Sequence, residues 1–416
     1  MNKNVKLLGM AAVVSMTFAA CSNDELKEIY QHEGISFTTK VNTRATVTNL
    51  ENFNGFHVYA DAPGNSMFIE GELATKDSET GVYKLANNYV WPEGIDEVNF
   101  WAYGPENIIN KDAIDLGTDA ISFKHFEPNN DITNQKDLVV AYTRTQRRAS
   151  VPLNFYHALS QIEVNARCVT ANKNIKIKGA WIVNVTKAGK LAFSQSAADT
   201  HYMNWTPSTD TKAKTNYGSS VSLNLGGNSS YSGLLAGNTN MMLIPQSIEP
   251  LLFTKKDTET VENNGGAYIL LLCRVETQHL GQYNAIDHEG STTTGAIKNV
   301  PGPEGSEGYH LHQQFPVQET YDDEAYGYTC VPLTKVTWIP GKKYVYNLDI
   351  CGPTSGAGVY PPDEELPKVD GITPVERPDS KKPGDPVLDD PITFDVTIEE
   401  WVSEDNPENV IPTPMK

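Results

Sequence analysis

His310-Leu311-His312 sets two imidazoles on one side of a strand, a spacing that suits a transition-metal ion. No third histidine stands beside them, so a metal-assisted hydrolase using His310 and His312 is the weakest functional reading. The other constellations that do chemistry are missing. The sequence has no G-x-S-x-G turn, no H-E-x-x-H helix motif, no phosphate-binding glycine loop and no EF-hand spacing. His57 and His157 lie beside aromatic residues, the setting of packed and hydrogen-bonded histidines. Acidic pairs are plentiful, but 52 acidic residues produce many by chance. No catalytic residue, metal ligand or cofactor is assigned, and the sequence does not read as an enzyme.

Chemistry of another kind stands at the N-terminus. Lys3 and Lys6 precede an apolar run, Leu7 to Ala20, that ends in Phe18-Ala19-Ala20-Cys21. About 14 apolar residues are too few to span a bilayer, which takes roughly 20, so residues 1–20 read as a cleavable signal peptide. Small residues before a cysteine resemble a lipobox, with Cys21 as the diacylated mature N-terminus, although Phe18 replaces the usual aliphatic residue. Ser22-Asn23-Asp24-Glu25 then reads either as a surface-export signal or as a polar tether. Either way the chain is expected outside the cytoplasm, anchored by lipid; with the export signal it is expected as an outer-membrane lipoprotein at the cell surface.

Composition narrows the classes further. The 416 residues are 39% hydrophobic and 20% charged, which excludes a bulk membrane protein or a disordered polyelectrolyte. Lys+Arg 33 against Asp+Glu 52 gives −19, a balance repelled by phosphate backbones, so nucleic acid is not an expected partner. Cys168, Cys273, Cys330 and Cys351 permit three pairings and carry no zinc spacing; buried thiols and disulfides both stay open.

Short strands dominate residues 35–350, including Ile35 to Val41, Phe56 to Ala60, Val98 to Tyr103, Leu138 to Tyr142, Ala267 to Cys273 and Tyr344 to Ile350. Gly-, Pro- and Asn-rich turns separate them, and no convincing helix period appears. The expectation is an all-β chain of antiparallel sandwiches. The basic run Arg144 to Arg148 suggests a boundary near 149, giving an N-terminal sandwich over 45–149 and a C-terminal one over 150–350. Residues 351–416 hold 12 of the 25 prolines. Proline cannot donate to a ladder, so 352–391 is expected to be an irregular, loose connector. One strand interrupts it, with Ile392, Phe394, Val396 and Ile398 on its apolar face.

Several phrases together resemble the fimbrillin family of the Bacteroidetes, subunits of type V pili and their relatives. They are the lipobox at Cys21, Thr43-Arg44-Ala45, Tyr89-Val90-Trp91-Pro92, Val98 to Pro105, Asp137-Leu138-Val139, Leu153 to Ser160, Leu243-Ile244-Pro245-Gln246, Trp338 to Tyr346 and Phe394 to Trp401. The resemblance implies two tandem transthyretin-like β-sandwich domains with a Pro-rich C-terminal extension and no catalytic residues. It also implies assembly in which a trypsin-like protease cuts after an arginine, a first strand leaves, and a strand of another fimbrial subunit fills the slot.

On that reading residues 21–44 form a propeptide, cleavage falls between Arg44 and Ala45, and the removable strand presents Ile35, Phe37 and Val41. Arg44 is alternatively a plain surface charge. Ile392, Phe394, Val396 and Ile398 suit a donor strand, since burying four such side chains is worth about 6–12 kcal/mol. The same segment is equally readable as the last strand of its own domain. The competing function is a monomeric surface lipoprotein that binds glycan or host protein, with Tyr202 and Trp205 as sugar-stacking rings.

Overall fold

The computed structural model describes residues 34–41, 53–62, 67–117, 120–148, 150–194, 203–210, 214–235, 240–257, 260–283, 296–388 and 390–401. Cys21, Arg44, Ala45 and Tyr202 lie outside them. Within them the chain is all-β as expected, with two short 3-10 turns as its helical content. No helix among the described residues is long and apolar enough to cross a membrane.

Nine strands come first: β1 (Ser36–Val41), β2 (Gly55–Asp61), β3 (Met67–Lys76), β4 (Tyr83–Leu85), β5 (Glu97–Gly104), β6 (Ile114–Leu116), β7 (Ala120–Phe126), β8 (Val139–Gln146) and β9 (Ser150–His157). Seven of them close into a barrel in the order β1-β4-β3-β2-β5-β8-β9. Closure depends on β1, which runs parallel to β9 and antiparallel to β4. Alternation explains the packing: Val151, Leu153 and Phe155 of β9 point inward while Pro152 and Asn154 are exposed. Phe53, Phe56, Phe100, Phe155 and Tyr83 join them in an aromatic interior.

A second group follows: β10 (Ser160–Cys168), β11 (Lys173–Thr186), β12 (Gly189–Ser194), β13 (Met203–Pro207), β14 (Lys214–Gly226), β15 (Asn228–Gly233), β16 (Met241–Leu243), β17 (Gln246–Ile248), β18 (Phe253–Lys255) and β19 (Val261–Asn263). The chain continues through β20 (Tyr268–Leu280), β21 (Ile297–Val300), β22 (Tyr309–Phe315), β23 (Gly327–Pro332), β24 (Val336–Trp338), β25 (Lys342–Asp349) and β26 (Thr393–Glu400). One sheet runs β15-β10-β25-β26, with β16 also on β10; the facing sheet runs β14-β11-β20-β22-β21, with β23 also on β20. Ile162 and Val164, Ile175 and Ile177, Ile269 and Leu271, and Tyr344 and Tyr346 fill the space between them.

The basic run Arg144 to Arg148 ends β8, and the next strand, β9, belongs to the same barrel. The pairing of β9 with β1 carries the barrel to His157, and the passage to the second sheet system is Ala158-Leu159. The halves also share a sheet, β13-β12-β7-β6, in which β7 pairs with β12 across the junction. Trp101, Phe123, Leu159, Phe193, Met242 and Trp401 pack beside it.

The connector 352–391 is irregular, as its prolines require, but it is clamped to the second sheet system. Cys330 and Val359 exchange both backbone hydrogen bonds, at 2.8 and 3.1 Å, and Tyr360 and Val387 are buried. Gly358, at φ +91°, allows this close approach, because a Cβ there would collide with Thr329. The cover explains β20: Ile269 and Leu271 face the sandwich interior, while Tyr268, Leu270 and Leu272 face a second cluster that includes Val359 of the connector.

Candidate assembly site

The front strand is built into the wall of the barrel. Its residues 36–41 pair one-for-one with 150–155 of β9, and Ser36 and Phe37 pair with Lys84 and Tyr83 of β4. Ahead of it, Ile35 N–H donates to Tyr89 O at 2.6 Å. Alternation turns Ile35 and Phe37 inward, at 8% and 0% exposure. The Phe37 ring meets Phe56 and Phe100 edge-on, with centroids 6.0 and 5.9 Å apart, geometry favoured by the ring quadrupole. Val41 lies in register with Phe155.

Thr39 is a member of the inward face that apolar pattern alone misses. Its side chain bonds the Tyr83 hydroxyl, which also donates to Phe53 O at 2.5 Å. Burial pushes the Tyr83 phenol pKa up, and the Thr39 bond offsets part of that rise. Removal of β1 would therefore uncover a slot between β9 and β4 with an aromatic floor and one hydroxyl.

The rear segment rests on its own chain. β26 pairs antiparallel with β25 from Thr393↔Asp349 to Lys342↔Glu400, and among the described residues its outer side has no neighbouring strand. Ile392 is buried; Phe394, Val396 and Ile398 are only partly buried against the sandwich core. Thr393 N–H donates to Ser355 Oγ at 2.7 Å at one end. At the other, Trp401 N–H donates to Gly341 O at 3.1 Å and the indole is 3% exposed. The indole stacks on His157 at 4.1 Å between centroids and 12° between planes. His157 Nδ1 in turn bonds Asp137 Oδ2 at 2.7 Å, a pair buried at the junction. The rear strand is thus pinned between the two halves.

The other residues singled out from sequence are structural in their contacts. His57 Nδ1 bonds Gly71 O at 2.9 Å and stacks on Tyr103. Trp205 Nε1 donates to Ala158 O at 2.7 Å and its ring meets Phe126, which ties it to the junction. His310 and His312 cluster with His279, and among the described residues no three His, Cys, Asp or Glu are arranged to hold a metal. Cys168, Cys273, Cys330 and Cys351 are buried thiols that form no disulfide among the described residues; burial pushes the Cys273 and Cys330 pKa values far up, which keeps them protonated and unreactive.

Comparison with known proteins places this architecture. A family model described as fimbrillin-like matches residues 43–359. No curated protein matches. Among solved structures, a candidate cell adhesion protein of Parabacteroides distasonis is 8% identical, covering 90% of this chain and 98% of its own, with a TM-score of 0.43. A candidate cell adhesion protein of Bacteroides ovatus is 11% identical, covering 76% and 92%, with a TM-score of 0.40. A fimbrial protein of Bacteroides ovatus is 12% identical, covering 42% and 46%, with a TM-score of 0.24. These structural likenesses add no weight to the family match.

Proposed function

This chain belongs to the fimbrillin-like family, and from that premise we infer that it is a structural component of cell-surface fimbriae, assembled by strand exchange after proteolysis. The reading is that lipid on Cys21 carries the precursor to the outer membrane, a trypsin-like protease cuts between Arg44 and Ala45, β1 departs, and β26 of another subunit enters the slot. The observation that carries it is the seating of β1: one short strand closes the barrel, and the link from it to β2 contains Arg44. Its inward Ile35 and Phe37 have an apolar-x-aromatic counterpart in Ile392 and Phe394. Burial of Phe394, Val396 and Ile398 is incomplete on their own domain, so a deeper slot offers them a net gain in buried apolar area. A contact of this kind is head-to-tail and does not close on itself, so it propagates.

Limited trypsin treatment of the full precursor tests it. Cleavage after Arg44 should yield ladders that survive mild denaturant, and Arg44→Ala should abolish both the trimming and the ladders. Ladders that form from uncut Arg44→Ala chains would defeat strand release. Phe394→Asp should stop polymerisation while leaving the circular dichroism of the monomer unchanged.

A further inference from the structure

A cleft of about 670 Å³ opens where the connector crosses the second sheet system, a volume in the range of ligand pockets. Its floor is Phe315, Tyr328 and Tyr360. Tyr328 O–H donates to Pro367 O, which fixes that ring against the connector. Five prolines line the walls, at 316, 361, 362, 374 and 378, and supply no backbone N–H. Four carboxylates, Asp363, Glu364, Glu365 and Glu376, add only acceptors. Arg377 is occupied, by Asp363 Oδ1 at 2.8 Å and by Lys381 O at 3.0 Å. Lys368 is the remaining cationic donor, and among the described residues Glu364, Glu365 and Glu376 form no ion pair.

The hydrogen-bonding balance selects the occupant. A lining rich in acceptors and poor in donors favours a group that only donates, and guanidinium is the strongest of these, with five N–H groups and no acceptor. A neutral glycan hydroxyl both donates and accepts, and here half of its demand would go unmet. Phe315 and Tyr360, at 1% and 3% exposure, are too deep to act as flat sugar-stacking platforms.

The same molecule carries such a group on its other half. Three of the chain's seven arginines fall at 144, 147 and 148. β8 and β9 meet the junction at Val139↔His157, so their turn lies about 25 Å away at the far pole of the barrel. Arg144 pairs with Glu97 at 2.7 Å and Arg147 donates to Pro92 O at 3.0 Å, which holds the turn in shape. Arg148 is exposed and forms no ion pair among the described residues. The cleft lies on the other half of the chain, away from the junction: Phe315 pairs with Val275, which pairs with Ile175, two residues into β11 after the β10–β11 turn.

The geometry points to a second copy of this chain as the occupant, its β8–β9 turn seated in the cleft with Arg148 and Arg147 among the carboxylates. The inference takes from the fimbrial reading only that copies meet end to end. Because turn and cleft are different surfaces of one chain, each copy offers one of each, and a head-to-tail contact of this kind repeats from copy to copy. Electrostatic attraction of this kind sets orientation and encounter rate, and salt screens it.

The test uses the full Arg44→Ala chain, in which strand release is blocked, so this contact is read separately. A fluorescent peptide of residues 143–150 should bind it by anisotropy, weaken at least ~10-fold with Glu364→Gln/Glu376→Gln, and lose binding when Arg147 and Arg148 become Ala. These glutamates are exposed, so the variants keep the fold. Reversing charge on both sides, Arg148→Glu with Glu364→Lys, should restore association when the two single variants are mixed. Peptide binding indifferent to the cleft variants overturns the assignment, as does binding of a neutral oligosaccharide in place of the peptide. Ladders that depend on Arg44 without peptide binding would leave strand exchange standing and remove this contact alone.

Discussion

The first and last strands of this molecule differ in how they are held. β1 has a partner on each side and buries Phe37 completely, whereas β26 has a partner on one side and leaves Phe394, Val396 and Ile398 half-covered. The closed barrel makes the front strand integral and hard to lose by fluctuation. Among the described residues the rear strand is an edge strand, secured by Ser355 at one end and by Trp401 at the other. Two-sided pairing in front and one-sided pairing behind is the asymmetry that the proposed strand exchange would use.

Substitutions along the two strands can break that contrast. Phe37→Ala should cost about 4 kcal/mol in urea unfolding, since the barrel cannot collapse around the lost ring. Trp401→Ala should cost about 3 kcal/mol and release β26 first, seen as faster amide exchange over 393–400 while 36–41 stays protected. Phe394→Ala should cost only about 1.5 kcal/mol, reflecting partial burial. A cost for Phe394→Ala that equals that of Phe37→Ala would erase the distinction between the strands.

The smallest effect concerns pH in the sheet that carries β26. Burial raises the Glu163 pKa, but the Lys343 ammonium at 2.5 Å and Asn165 outweigh it, so the carboxyl ends below its ordinary value. A depressed folded pKa stabilises above the unfolded carboxylate value near ~4.3 and is lost as pH falls through the folded value. Glu163→Gln should therefore flatten the acid limb of stability by no more than ~1 kcal/mol between pH 5 and 3. An unaltered acid limb would assign that dependence to other carboxylates.

Strand positions were legible because period-2 alternation is a local signal: Ile35 and Phe37 point one way with a polar residue between. The continuous apolar run Ala267 to Cys273 also read as strand, but only the connector packed on its second face explains why it does not alternate. Proline content announced that 352–391 would be irregular without revealing that it is clamped, since its bonds to Cys330 and Tyr326 are made over tens of residues of separation. The extent of the barrel was hidden for the same reason. A basic run marks a turn, and whether that turn separates domains or closes a hairpin depends on β9 pairing with β1. Thr39 escaped notice because a lone hydroxyl on an apolar face becomes intelligible only beside Tyr83.

The β7–β12 ladder has a mechanical consequence. Were the chain pulled from both ends, a junction made of Ala158-Leu159 alone would hinge under tension. With β7 and β12 paired from residues 120–126 to 189–194, load between the two halves would instead pass through a bonded ribbon.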